Sequence, residues 1–199
     1  MSAIRVFVPR DSAALAVGAD EVAAALSAQA AARGLVIDLV RNSSRGMFWL
    51  ETLVEVQTPS GRVAYGPVES QDVASLLDAG MLQGAAHPLC HGLTDEMPYL
   101  AKQERLTFAR MGITAPLSLA DYQAHDGWQG LQRALSMDGA AIVQEMTDSG
   151  LRGRGGAAFP AGIKWRTVLN APATQKYIVC NADEGDSGTF SDRMTLEGD

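Results

Sequence analysis

"IRVFVPRDSAALAVGADEVAAALSAQAAARGLVIDLV", residues 4–40, is the stretch that decides the fold class. Its ends, IRVFVP (4–9) and LVIDLV (35–40), are short runs rich in β-branched residues, the type that suits a pleated surface. Between them DEVAAALSAQAAAR (20–33) is alanine-rich, with Asp20 placed to cap a helix and Gly34 placed to end it. Strand, helix, strand in this order predicts two parallel strands joined by a crossover helix. Downstream, TLVEVQTPSGRVAYGPV (52–68) holds two alternating runs around Pro59-Ser60-Gly61 and reads as a hairpin. SQDVASLLDAGM (70–81) reads as a capped helix. Residues 1–85 therefore predict β-α-β-β-β-α, an α/β domain of thioredoxin-like size.

The bulk numbers bound the rest. The chain has 199 residues, 47% of them hydrophobic and 20% charged, with a net charge of −7. That suffices for one large or two small domains. It also lacks the general basic footprint of nucleic-acid or anionic-membrane binding. The apolar runs are too short for a transmembrane helix. The opening MSAIRVFVPRD reads as a strand, because arginine and aspartate interrupt it too early for a signal peptide. Cys90 and Cys180 lie far apart. They make no disulfide framework and cannot by themselves hold an iron–sulfur cluster. A cytoplasmic protein is expected. MTLEGD (194–199) follows the richest motif without a closing element, so the chain reads as the front of something longer.

Residues 86–147 have a different texture and predict a helical linker. MPYLAKQERLTFARMG (97–112) suggests a helix with Gly112 beyond its end. SLADYQAHDGWQGLQRALSM (118–137) suggests two short helices separated by Asp126-Gly127, and DGAAIVQEMTDSG (138–150) a further helix ending near Gly150. HPLCH (87–91) offers His87, Cys90 and His91 to a metal, but no fourth ligand stands at regular spacing. A packed loop is the expectation there. From 150 onward a glycine-rich loop leads to a helix start at 160–169, a strand KYIVCNA (176–182) and an acidic turn DEGDSGTFSDR (183–193).

Two stretches can carry chemistry. SGLRGRGGAAFPAGIKW (149–165) places glycines at 150, 153, 155, 156 and 162 among Arg152, Arg154, Phe159 and Lys164. Glycines let backbone N–H groups approach an anion, a helix beginning near Pro160 adds its positive end, and Lys164 adds a point charge. The pattern matches neither the dinucleotide fingerprint nor the P-loop. A phosphate cradle and a flexible hinge both remain open on this stretch alone. CNADEGDSGTF (180–190) sets Asn181, Asp183 and Glu184 after an apolar strand, where open α/β sheets place ligands. An amide beside two carboxylates suits a heterocycle or a ribose. The spacing does not match a calcium-binding EF-hand loop, and a solvated acidic turn is the alternative.

Taken together, Ser149–Arg193 resembles the flavin-binding subunit shared by respiratory complex I and its soluble relatives: a loop like SGLRGRGGAAFPAGIKW, then a strand and turn like YIVCNADEGDSGTFSDR. GITAPLSLADYQAHDGWQGLQRAL (112–135) resembles that family's approach segment, and the likeness covers roughly 87–199. The resemblance implies an FMN site exchanging hydride with NAD(H), chemistry that belongs to the flavin. By motif match Gly153, Gly155 and Lys164 would serve FMN, Lys164 near its phosphate. Asn181, Asp183 and Glu184 would line the flavin. Gly156, Ala157 and Phe159 would border the nicotinamide nucleotide, and Arg154 and Asp186 complete the expected cofactor-binding set. Ala158 stands where the family usually has glycine, Asp186 where it often has glutamate, and Ser187 where it often has proline. The family's later flavin segment and its four-cysteine [4Fe–4S] motif are not in these residues. The chain alone is thus expected to bind flavin weakly or not at all.

The first 85 residues discriminate among relatives. Some place a thioredoxin-like [2Fe–2S] domain beside the flavin subunit, which needs four thiolates. The matching-looking region here, RNSSRGMFWLETLVEV (41–56), has none. A cysteine-free thioredoxin-like domain (1–85), a helical linker (86–147) and the start of an α/β FMN-binding domain (148–199) together resemble the β subunit of soluble, molybdenum-containing, NAD-dependent formate dehydrogenase. That resemblance implies a molybdenum/iron–sulfur subunit and a [2Fe–2S] subunit as partners. A flavin subunit of an NAD-reducing hydrogenase or of complex I, and a non-catalytic docking piece, are the alternatives.

Overall fold

The computed structural model describes residues 3–186 and 188–199. Contacts group the chain into two units, one of residues up to 125 together with 184–199, the other of 126–183. The first unit carries β1 (Ile4–Phe7), α1 (Ser12–Leu15), α2 (Ala19–Ala32), β2 (Ile37–Val40), β3 (Val54–Thr58), β4 (Gly61–Tyr65), α3 (Val73–Asp78), β5 (Cys90–Leu93), α4 (Pro98–Ala101) and α5 (Leu119–Ala124). The second carries α6 (Gln129–Leu135), α7 (Gly139–Asp148) and α8 (Ala161–Asn170), after which α9 (Ser191–Gly198) returns to the first.

In the first unit the sheet order is β2-β1-β3-β4-β5. β1 and β2 run parallel, from Ile4 opposite Ile37 to Phe7 opposite Val40, with α2 as their crossover. The β3–β4 hairpin lies antiparallel beside β1. This mixed α/β arrangement is the thioredoxin-like class expected from residues 4–85. One sheet face packs on α2 and α3: Val6, Val56, Tyr65, Val22, Leu26 and Leu76 are all buried to 1% exposure or less. Gly34, at φ 66°, ends α2 as read. Asp20 does not cap it. α2 starts one residue earlier, behind Gly18, and Asp20 sits in its first turn, 2.8 Å from Arg41. The capping aspartate is Asp11, whose carboxylate accepts from the N–H groups of Ala13 and Ala14 at the start of α1.

Two linker expectations are corrected. Cys90 and His91 belong to β5, not to a loop, and β5 runs antiparallel to β4, with Cys90 opposite Tyr65 and His91 at an irregularity in the register. The outer edge of β4 offers unpaired N–H and C=O groups, and this segment satisfies them. Residues 97–112 form only the four-residue α4 and then turns. Long-range contacts hold them out of a longer helix. The Arg105 guanidinium donates to the Arg45 carbonyl at 2.6 Å, and Met111 is buried at 1% exposure. Gly112, at φ 75°, leaves no room for a Cβ against the Arg45 side chain.

In the second unit α7 and α8 pack closely at Gly162, where a Cβ would lie 2.5 Å from Thr147 Oγ1. The expected helix over 160–169 is α8, and the two helices flanking Asp126-Gly127 are α5 and α6. The expected strand at 176–182 is corrected. The segment forms no strand, and Ile178 and Val179 are 101% and 86% exposed. A strand exists only as one side of a ladder, and no other described segment of this chain pairs with it.

Candidate cofactor site

The glycine-rich stretch folds as a tight hairpin closed at its base. Gly153 N–H donates to the Phe159 carbonyl at 2.8 Å and Ala161 N–H to the Leu151 carbonyl at 2.8 Å. Arg152 and Pro160 form a bridge between the two arms. Arg152 Nη1 ties the far arm through the Ala158 carbonyl at 3.0 Å, and Arg154 Nη1 folds back on the Arg152 carbonyl at 3.2 Å. The stretch is therefore an ordered loop with a fixed base, more than a free hinge. Arg152 was absent from the expected site set. The R-x-R alternation within the glycines is the signal that points to it.

Three features of this loop suit an anion. Among the described residues, no backbone N–H from Arg154 to Phe159 donates to another group of the chain. A Cβ at Gly155 or Gly156 would meet nothing within 4 Å, so the backbone there is uncrowded. Arg152, Arg154 and Lys164 have no carboxylate partner among the described residues. Lys164 lies in the first turn of α8, and its Nζ sits 5.8 Å from the Phe159 ring centroid. The same Nζ lies 3.7 Å from where a Gly153 Cβ would be, so Gly153, Phe159 and Lys164 are brought together. α8 has no side-chain cap at Pro160, and with the Ala161 N–H taken by the Leu151 carbonyl, the Gly162 and Ile163 N–H groups are the first-turn donors left for a ligand. Phe159 is half-exposed and offers a stacking face. A phosphate-bearing nucleotide fits this donor set.

Ala158 adopts φ 49°, in the left-handed region, and Gly156 φ 98°. An L-residue at such a φ costs about 1–2 kcal/mol, which glycine avoids. Ala158 is the position where the resemblance leads one to expect glycine, and its φ is one that glycine adopts without strain.

The acidic turn divides between the units. Asn181 and Asp183 lie in the second, where Asp183 N–H donates to Asn181 Oδ1 at 3.2 Å. Glu184 and Asp186 lie in the first. The Asp186 carbonyl accepts from Thr189 N–H at 3.1 Å, closing a turn. Glu184 has φ 44°. Its carboxylate accepts from the N–H groups of Asp192 (2.5 Å) and Arg193 (3.2 Å) and from Ser191 Oγ (3.3 Å). Desolvation pushes its pKa up, but these hydrogen bonds and the Arg193 charge outweigh it and hold the carboxyl below its ordinary range. The reading of Glu184 as a flavin-lining residue did not include this capping role. Ser187 lies outside the described residues.

The region RNSSRGMFWLETLVEV is filled by a polar network. Arg45 Nη2 is 2.9 Å from Glu55 Oε1, and the two side chains are 6% and 1% exposed. Arg62 sits 3.6 Å from the same carboxylate and 3.4 Å above the Phe7 ring. Ser44 N–H donates to Asp11 at 2.7 Å. Glu51 is buried, and its Oε1 has no hydrogen-bond partner. Burial pushes its pKa up to about 7, with the hydrogen bond from Leu53 N–H offsetting part of the rise.

Comparison with known proteins bears on the C-terminal quarter of the chain. Residues 146–199 match the family described as the Nuo51 FMN-binding domain. The matched segment includes both chemistry-bearing stretches. The chain is 52% identical over 98 residues to the NADP-reducing hydrogenase subunit HndC of Solidesulfovibrio fructosivorans, covering 49% of this chain and 20% of that one. It is 48% identical over 82 residues to an NADH-quinone oxidoreductase subunit of Rhizobium meliloti, covering 41% and 20%. The chain therefore matches about a fifth of the length of these relatives. A thioredoxin-like [2Fe–2S] ferredoxin from Aquifex aeolicus aligns with 46% of this chain and 99% of its own, at 20% identity and a TM-score of 0.40.

Proposed function

We propose that this chain is part of a diaphorase subunit that passes electrons between iron–sulfur centres, FMN and NAD(H) in a soluble, NAD-dependent formate dehydrogenase. The observation that carries the cofactor assignment is the hairpin with its free N–H groups and unpaired Arg152, Arg154 and Lys164. In this reading Gly153, Gly155 and Lys164 serve FMN, with Lys164 near its phosphate, while the Gly153 N–H itself stays on the Phe159 carbonyl. Asn181, Asp183 and Glu184 border the flavin. Arg154, Gly156, Ala157, Phe159 and Asp186 border the nicotinamide nucleotide. FMN, when bound, supplies the hydride acceptor, while the protein orients two rings and neutralises their phosphates. No catalytic acid or base is assigned. Cys90 and Cys180 do not fit a [4Fe–4S] cluster: one lies in β5, the other is exposed, and two thiolates are too few. No described helix is long and apolar enough to cross a membrane. A cytoplasmic location is part of this proposal.

The thioredoxin-like unit with no cluster cysteines supports formate dehydrogenase, with a molybdenum/iron–sulfur subunit and a [2Fe–2S] subunit as partners. The 52% identity to a hydrogenase subunit supports a second reading, the flavin subunit of an NAD(P)-reducing hydrogenase. Purification with partner subunits decides between them. Molybdenum with formate-dependent NAD⁺ reduction supports the first, and nickel with hydrogen-dependent reduction the second. No NADH:ferricyanide activity in any assembled complex would leave only a docking role.

A further inference from the structure

Glu184 and Asp186, both in the expected cofactor-binding set, lie in the first unit, and the placement of Glu184 is set by helix α9 of that unit. Glu184 makes three hydrogen bonds to the first turn of α9, whose own N-cap residue, Phe190, provides no side-chain cap. The orphan amides of α9 and the Glu184 carboxylate therefore fix each other. α9 is in turn held along its length by residues of the thioredoxin-like part and, at its end, by Arg110 and Met111. Phe190 packs edge-on against Phe48, with ring centroids 4.8 Å apart. Met194 is buried beside Gly46. Glu197 Oε2 accepts from Ser12 N–H at 2.9 Å and Ser12 Oγ at 3.0 Å. Gly198 fits so closely that a Cβ would collide with Met111 Sδ and lie 2.7 Å from Ser43 Oγ. Asp199 takes a bidentate pair from Arg110, at 2.5 and 2.7 Å.

These contacts reach the segment that lacks the cluster thiolates, Ser43 to Phe48. We propose that the thioredoxin-like part serves as a positioning frame: by docking α9 it fixes the orientation of the Glu184 carboxylate, the group that the proposed function assigns to the flavin. Three hydrogen bonds leave the carboxylate with acceptor capacity unused, since two oxygens offer about four lone-pair directions. Glu184 can thus be held by α9 and still face a ligand. Its lowered pKa agrees, because the same hydrogen bonds keep it ionised. Gly198, Glu197 and Ser12 are positioning residues in this scheme, with no role in touching a ligand. The proposal rests on the reading of Glu184 as a cofactor-site residue, and its test is independent of flavin.

The test follows the Glu184 carboxyl by ¹³C NMR titration in the full chain, alongside amide hydrogen exchange. In the parent protein Glu184 is expected to titrate below the ordinary glutamate range and the α9 amides to be protected. Gly198→Val removes the space available at that contact. It is expected to raise the Glu184 midpoint towards the ordinary range and to speed exchange at Asp192 and Arg193 roughly fivefold or more, with β1–β4 protection unchanged. Glu197→Gln is the milder variant, weakening one contact without a steric clash, and is expected to move both readings less in the same direction. Undocking of α9 with an unmoved Glu184 titration would overturn the proposal, as would unchanged α9 protection in both variants. FMN titration of the same variants in the assembled complex reads the cofactor assignment separately: a Glu184 shift on undocking with no flavin bound by the parent complex would retain the frame and reject the flavin reading.

Discussion

IRVF at 4–7 and YIVC at 177–180 are nearly the same kind of sequence, and they have opposite fates. The first is β1, paired on both sides, with Val6 at 0% exposure. The second is extended, unpaired and almost wholly exposed, with Ile178 at 101%. The difference is the presence of partners. β1 finds β2 and β3 within the first unit, whereas none of the described residues offers a ladder to 177–180. β-propensity states that a residue suits a pleated, half-buried surface; it does not create the surface. A closed core in one unit and solvated apolar residues in the other follow from that rule.

The closed unit is where burial has its largest chemical consequence. Glu51 keeps its proton in the folded state up to about pH 7, against 4.5 for its ordinary value. Between those pH values the folded state binds more protons than the unfolded, so stability falls as pH rises. A gain present below about 4.5 is lost by about 7, a swing of roughly 3 kcal/mol for this group. Denaturant unfolding from pH 4.5 to 8 should show that fall, and Glu51→Gln should flatten it. An equal slope in the variant would mean the carboxyl is hydrated.

The strand comparison itself is tested by matched truncations. Val6→Ala is expected to lower stability by about 2 kcal/mol, through lost burial and an incompletely filled cavity. Val179→Ala should change it by less than about 0.5 kcal/mol. Equal losses would show that 177–180 is packed in solution.

Smaller effects belong to the loop. Lys164→Gln is expected to weaken FMN or inorganic phosphate binding about tenfold, as a charge-assisted contact is lost, with the thermal midpoint unchanged. Equal affinity of parent and variant would remove Lys164 from the anion site. Ala158→Gly has the smallest expected effect. Relief of the left-handed φ at 158 outweighs the added unfolded-state entropy by about 0.5 kcal/mol. In the assembled enzyme it should also lower KM for NADH, and an unchanged KM would show that the methyl is accommodated.

Much of the fold was legible because its signals are local. Alternation at 52–68, turn residues at 59–61 and glycine at 34 act within a few residues of where they stand, and the hairpin and the end of α2 follow. β5 was missed because its four residues have little pattern of their own and owe their conformation to the open edge of β4. The long helix expected at 97–112 failed for the converse reason: its helix-forming residues are overruled by contacts to Arg45 and a buried Met111.

The candidate site shows the same division. Which residue types gather there, glycines, cations and an amide beside carboxylates, follows from the order of the chain alone, because the two motifs are contiguous and each chemistry is written in its own side chains. It took the folded arrangement to establish that Arg152 closes the hairpin, that Ala158 is strained, that the cysteine-free segment is filled by Arg45, Glu55 and α9, and that Glu184 is held by that helix. Those facts depend on contacts between residues as far apart as 12 and 197, and no local pattern carries that information.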